Sequence, residues 1–248
     1  MRLIDDHRSV NWNDRPLDAR IDTVVLHYTG MQSGKEALTR LCDPEAEVSA
    51  HYMIEENGSV YRLVEEERRA WHAGVSCWQG RENLNHSSIG IELVNPGHEF
   101  GYKPFPDAQI DSLLKILDGI KTRHEIPTSR FIGHSDIAPS RKTDPGELFP
   151  WQQLAAEGFG VFSDKDASDQ TLVIEKGMQG TAAIKLNKQL GIVGYHGCDY
   201  DTIGDNTERV IKAFQAHWRP TVVTGIYDAG TSLVLSDITK MILVGDPE

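Results

Sequence analysis

The chain has 248 residues, 39% of them hydrophobic and 25% charged, and a formal net charge of −12. That composition buries a core unaided, and the acidic balance, with no basic stripe interleaved with aromatics, argues against nucleic acid and against an anionic membrane surface as partners. Three cysteines without a CxxC pair, Cys42, Cys77 and Cys198, argue against a disulfide framework or a cysteine-rich metal site, and no apolar run reaches the roughly 18 residues of a transmembrane helix.

The first twenty residues are polar and carry no apolar signal-peptide core. The expected location is therefore cytoplasmic, with the periplasm or cell envelope left open if the chain is trimmed or exported by another route. IDTVVLHYTG (21–30) reads as a short apolar strand ending in His27 and a turn glycine. VSAHYMIEENGSVYRLV (48–64) reads as two strands around Asn57-Gly58, a strong hairpin signal. SSIGIELVN (87–95) is another strand, closed by Pro96. DAQIDSLLKILDGIKTRHEIP (107–127) is the clearest helix. Ile110, Leu113, Leu114, Leu117 and Ile120 recur at helical spacing, Asp107 stands at the start as a cap, and Pro127 lies beyond the end. SRFIGHSD (129–136) reads as a strand leading into the polar loop GHSDIAPSRKTDPG (133–146). Strands mixed with long helices imply an α/β domain.

SDKDASDQ (163–170) reads as a linker. Beyond it, helical faces within 178–195, 205–218 and 228–242 predict a small three-helix domain over residues 171–248. A weak echo links TIGDNTERVIKAF to TGIYDAGTSLVL, each with an Asp and a Thr that can cap the helix it opens.

His27 and His134 follow strand-like runs, and Asp144 comes ten residues after His134 on the loop. Two imidazoles and one carboxylate are a complete protein ligand set for a catalytic Zn²⁺ with an open fourth position, and the same set suits non-haem iron. Among ten histidines, a surface or satisfied core role is the alternative for each. In IGIELV, Gly90, Glu92 and Val94 share one strand face. Glu92 is either a solvated residue on an edge strand or a general base with a raised pKa beside a metal. Lys142 is either a solvated lysine or a cation set to stabilise an oxyanion. RAWHAGVSCWQGREN (69–83), with Trp71, His72, Trp78 and Arg81, supplies either core plugs or the flat walls of a sugar–peptide groove.

VVLHYTG, SAHYMIEENGSVYRLV, RAWHAGVSCWQGREN, SIGIELVN and GHSDIAPSRKTDPG, in this order, resemble the zinc-dependent N-acetylmuramoyl-L-alanine amidases of the AmpD/AmiD type. This family shares its fold with peptidoglycan recognition proteins, and the likeness covers residues 20–151 almost continuously. It implies a central mixed β-sheet flanked by helices, with the catalytic domain at residues 1–162. The implied reaction is hydrolysis of the amide between the lactyl group of N-acetylmuramic or 1,6-anhydro-muramic acid and L-Ala of the stem peptide. The implied partners are peptidoglycan or muropeptide fragments.

Carried over by position, the resemblance makes His27, His134 and Asp144 the ligands of one Zn²⁺ per chain. Glu92 becomes the general base toward zinc-activated water, and Lys142 the oxyanion-stabilising lysine. Tyr28, Trp71, His72, Ala73, Arg81 and Asn83 are implied substrate contacts, and Asp136 and Arg141 are left to brace the loop. Ala50 stands where some relatives use a catalytic tyrosine, and Asn83 stands where AmpD-type sequences have arginine. The C-terminal part looks like the small helical peptidoglycan-binding module fused to wall hydrolases, with TIGD and TGIYD in place of its usual Asp-Gly turn. Two other readings stand beside this one: a non-catalytic peptidoglycan receptor on the same fold, and a metallo-amidase or peptidase for another substrate.

Overall fold

The structure is a computed structural model that describes residues 2–245. In chain order its strands are β1 (Arg2–Ile4), β2 (Trp12–Asp14), β3 (Thr23–Tyr28), β4 (Tyr52–Ile54), β5 (Ser59–Arg62), β6 (Arg68–Ala70), β7 (Cys77–Trp78), β8 (Arg81–Glu82), β9 (Ser88–Leu93), β10 (Phe131–Gly133), β11 (Leu172–Ile174) and β12 (Tyr227–Asp228). Its α-helices are α1 (Gly34–Cys42), α2 (Gly97–Phe100), α3 (Asp107–His124), α4 (His134–Ile137), α5 (Trp151–Ala156), α6 (Thr181–Val193), α7 (Asp205–Trp218) and α8 (Ala229–Gly245). Among the described residues no helix is long and apolar enough to cross a membrane. The chain forms two compact units: one runs to Val75 and resumes over Asn83–Gly133, and the other joins Ser76–Glu82 to the chain from His134 onward.

The first unit is built on a six-stranded sheet in the order β1-β5-β4-β9-β3-β10. The β4–β5 pair is antiparallel, and the β1–β5, β4–β9, β9–β3 and β3–β10 pairs are parallel. The sheet is thus mixed, as expected. Val24, Val25 and Leu26 on β3, and Ile89, Ile91 and Leu93 on β9, expose nothing to solvent. Their near-continuous apolar runs suit strands covered on both faces. Because β9 lies between β4 and β3, the edge-strand reading of Glu92 fails.

The Asn57-Gly58 hairpin forms as read, pairing Tyr52 with Arg62 and Ile54 with Val60. Gly58 has φ 81, and a Cβ there would lie 2.5 Å from the Ala108 carbonyl oxygen. Glycine therefore lets the turn touch the start of α3. On α3, Ile110, Leu113, Leu117 and Ile120 are buried, but Ile116 joins them and Leu114 is only half-buried. At about 100° per residue, Ile116 falls on the side of that face shared with buried Gln109 and Ser112, and Leu114 on the opposite side. Asp107 is the first helical residue and not the cap. Pro106 holds that position without a side-chain bond, so Asp107 acts only through the helix dipole.

A half-buried arginine ties the first unit together. Arg15 donates to the carbonyls of Glu66, Asn85, His86 and Ser88 at 2.9–3.2 Å, which pins the turn leading into β9. Burial lowers its pKa to about 10.

In the second unit, α6, α7 and α8 form the expected helices, and β11 pairs with β12 in a two-stranded ribbon. The stretch read as a linker is tied down. Ser163 Oγ donates to Asp237 at 2.7 Å, and the Ala167 carbonyl accepts from Arg219 Nε at 2.9 Å. Arg219 is itself buried and donates to both Asp228 oxygens at 2.6 and 2.8 Å. The two echoing halves differ at their caps. Asp228 accepts from the Thr231 N–H at 2.8 Å at the start of α8, whereas α7 has Gly204 at its cap position with no side-chain bond and Thr207 bonds Asn187 instead.

Candidate active site

The site begins with sheet register. In the parallel β3–β9 pair His27 is the partner of Glu92, and register partners on neighbouring strands project to the same face. His27, at 1% exposure, and the half-buried Glu92 therefore stand side by side. On the other side of β3, Gly133 is the partner of Leu26, so the next residue, His134, emerges level with His27. The strand read to 136 stops at Gly133. His134–Ile137 is one helical turn, α4, so the extended backbone ends as His134 is delivered.

Hydrogen-bond direction identifies which nitrogen of His27 keeps its lone pair. Ser88 O–H donates to the Leu84 carbonyl at 2.5 Å, and a carbonyl can only accept. Ser88 Oγ then accepts from His72 Nε2–H at 3.2 Å, which leaves His72 Nδ1 as an acceptor. At 3.1 Å from it lies His27 Nε2, which must carry the hydrogen. His27 therefore keeps its lone pair on Nδ1. The His72 backbone N–H and that of Ala73 donate to Asn85 Oδ1 at 3.0 and 2.8 Å, holding the segment in place. Gly90 makes room for the His72 ring: a Cβ there would lie 2.3 Å from its Cγ.

A further histidine, His51, sits beneath. Its Nδ1 accepts from the Gly90 N–H at 2.9 Å, so Nε2–H donates to the Arg68 carbonyl at 3.0 Å. Burial, together with the nearby Arg15 charge, lowers its pKa to about 3. It is a neutral structural imidazole.

On the loop, Ser135 N–H donates to the Asp144 carbonyl at 2.9 Å, bringing Asp144 back beside His134. His134 Nδ1 and Asp144 Oδ2 lie 3.1 Å apart. Two ligands of one tetrahedral zinc, with bonds near 2.0–2.1 Å, lie about 3.3 Å apart. His27, His134 and Asp144 are all buried, and their candidate ligand atoms lie within 4.8 Å of one another. The three could hold a metal ion. Lys142, half-buried two residues before Asp144, donates its backbone N–H to the Ala138 carbonyl at 3.1 Å.

The expected substrate contacts fall into two groups. Tyr28 and Trp71 are half-buried, Arg81 is exposed on β8, and Asn83 is half-buried. Tyr28 Oη lies 3.0 Å from His98 Nδ1, Trp71 Nε1 donates to Asn13 at 2.9 Å, and Asn83 accepts from Arg69 at 3.2 Å. Asn83 has φ 55, a left-handed conformation that asparagine tolerates well. His72 and Ala73 form the second group; both are buried and engaged as described above.

A family model described as N-acetylmuramoyl-L-alanine amidase matches residues 17–147, more than half of the chain. The chain is also 38% identical over 231 residues to the N-acetylmuramoyl-L-alanine amidase AmiD of Escherichia coli K12, covering 87% of this chain and 81% of that one. The chain belongs to the N-acetylmuramoyl-L-alanine amidase family. Its fold agrees. The structure of E. coli AmiD, a complex with anhydro-N-acetylmuramic acid-L-Ala-D-gamma-Glu-L-Lys, superposes with a TM-score of 0.79 at 33% identity over 94% of both chains. AmpDh3 of Pseudomonas aeruginosa, in complex with an anhydromuramic pentapeptide, gives 0.73 at 29% identity over 89% of this chain and 92% of that one.

Several residues that shape this candidate site escape sequence reading. Ser88, Asn85 and Arg15 act on it only through contacts between segments distant in sequence, and no local pattern marks them. His98 and Tyr102 stack at 4.3 Å beside the Tyr28 ring, and the aromatic content of GHEFGY was the one available signal.

Proposed function

We propose that this amidase hydrolyses the amide between the lactyl group of N-acetylmuramic or 1,6-anhydro-muramic acid and L-Ala of the stem peptide, with one Zn²⁺ per chain held by His27, His134 and Asp144. The substrate class rests on the muropeptides named for the AmiD and AmpDh3 complexes. The observation that carries the reading is the register that sets Glu92 beside His27, one strand away from the residue before His134. The donor set fits zinc: two imidazoles, one carboxylate and a buried setting. Bound there, zinc supplies Lewis acidity toward a water and an amide oxygen.

The chain's own groups do the rest. Glu92 takes the proton of the attacking water and returns one to the departing L-Ala amine, the general acid–base role suited to a carboxylate one strand from the metal ligands. Lys142 offers an ammonium to the oxyanion as the carbonyl becomes tetrahedral. His72 acts by orienting His27 through the Nε2–H bond, the usual service of a group behind a metal ligand, and not by touching substrate. Tyr28, Trp71, Arg81 and Asn83 contact the muropeptide. Residues 1–162 form the amidase domain, 163–170 the connection, and 171–248 the helical domain.

The test is product analysis on soluble 1,6-anhydro-muropeptides and on intact sacculi in parallel, with release of the free stem peptide as the expected result. Glu92→Gln should bind zinc as the wild type does while kcat falls by about 10²–10⁴. Full turnover by a zinc-loaded Glu92→Gln enzyme would remove Glu92 from the mechanism.

A further inference from the structure

The loop that carries His134 and Asp144 is tied both by its own backbone and by residues beyond it. Besides the Ser135–Asp144 bond, Ala138 N–H donates to the His134 carbonyl at 3.0 Å, and the Arg141 and Lys142 N–H groups donate to the Ala138 carbonyl at 3.1 Å. That single helical turn has four residues, too few to hold its shape alone. Inside the turn sits Asp136, with no exposed surface. A buried carboxylate is costly unless hydrogen bonds satisfy it.

Both its oxygens are served by residues much later in the chain. Tyr195 O–H donates to Oδ1 at 2.6 Å, and His217 Nδ1 lies 2.7 Å from Oδ2. A carboxylate only accepts, so His217 Nδ1 carries the hydrogen. These donors are rigidly mounted. Tyr195, just past α6, packs edge-on against Trp78 at 5.1 Å. The His217 ring, near the end of α7, is stacked between Trp151 at 3.6 Å and Trp218 at 3.7 Å. Two aromatic faces fix the plane of the ring and hence the direction of its N–H.

We infer that Tyr195 and His217 are positioning residues of the amidase: through Asp136 the C-terminal helices hold the His134–Asp144 loop in its metal-binding shape. The helical region is then part of the catalytic apparatus, whatever it binds elsewhere. This rests on the metal site proposed above. The geometry supports it independently of any glycan, because Asp136 is two residues from His134 and bonds the helices through both oxygens.

The experiment compares wild type, Tyr195→Phe, His217→Ala, His217→Asn and Thr207→Val in the full chain. Zinc affinity is measured by competition with a chromophoric chelator, and kcat and KM are measured on a soluble muramyl-peptide, so that wall anchoring plays no part. Thr207→Val is the matched control. It also removes one fully buried hydroxyl from the helical region, which donates to Asn187 at 3.1 Å. Tyr195→Phe and His217→Ala should each weaken zinc binding by about 10–100-fold, the range for groups behind metal ligands, and lower kcat with little change in KM. His217→Asn, whose amide can donate from the place of Nδ1, should recover most of the loss, and Thr207→Val should keep wild-type zinc affinity. Unchanged zinc affinity in Tyr195→Phe, or an equal loss in Thr207→Val, overturns the inference. A folded wild type that takes up no zinc overturns the metal site itself, and this inference with it.

Discussion

The two sources of the proposed metal site are built in opposite ways. His27 and Glu92 come from β3 and β9, interior strands whose flanking residues are wholly buried. There a one-residue slip would turn every side chain to the wrong face, so hydrophobic register sets where both groups stand. His134 and Asp144 come from a polar loop with almost no apolar pattern. That loop is shaped by a backbone bond from Ser135 to Asp144 and by the buried bonds of Asp136 to Tyr195 and His217. A sheet positions a ligand by period, and a loop positions one by satisfying buried polar groups. The first should tolerate polar mutations nearby and fail on steric ones; the second should do the reverse.

The largest expected effect comes from removing a ligand of either kind. His27→Ala and Asp144→Ala should both lose stoichiometric zinc, measured by elemental analysis, and turnover should drop to background. The two should differ in apo stability. Thermal unfolding of apo His27→Ala should stay close to that of the apo wild type. Asp144→Ala should unfold earlier, because it removes the buried partner of His134. Equal unfolding temperatures for the two would break the comparison.

Next is a steric test of the sheet side. In Gly90→Ala the new Cβ meets the His72 ring, so His72 must move and His27 loses its Nε2 partner. Zinc affinity should fall by about 10–100-fold. Ser88→Ala, which removes the acceptor behind His72 and the donor to the Leu84 carbonyl but leaves the His72 ring its space, should cost less. A Gly90→Ala protein with wild-type zinc affinity would mean that His72 does not orient His27.

The smallest effect is on acid stability. Buried His51 has its pKa lowered to about 3, while in the unfolded chain it protonates near 6.5. Its stabilisation is therefore complete above about pH 6.5 and is lost as pH falls from there toward 3. Between pH 7 and pH 5 this one group should remove about 2 kcal/mol from the unfolding free energy, readable by urea denaturation at the two values. Glu66 works in the same direction at lower pH. Burial by itself would raise its carboxyl, but hydrogen bonds from Arg123, Tyr52 and His124 hold it down to about 2, so its contribution is lost below about pH 4.5. An unfolding free energy that is flat from pH 7 to pH 5 would show that His51 is not buried neutral.

What the sequence by itself determined is whatever local pattern encodes. The Asn57-Gly58 turn, the apolar runs of β3 and β9, the helical spacing of α3 and the ordered motifs around His27, Glu92, His134 and Asp144 could all be read without coordinates, because each lies within a few consecutive residues. Tertiary structure alone decided that β9 is an interior strand, that Glu92 is the register partner of His27, and that His72 faces His27 with Ser88 behind it. It also decided that Asp136 is gripped by Tyr195 and His217, 59 and 81 residues away. These outcomes depend on strand order and on buried donors meeting buried acceptors across long stretches of chain. A buried polar group must find its partner wherever the fold brings one, and no local periodicity records where that is.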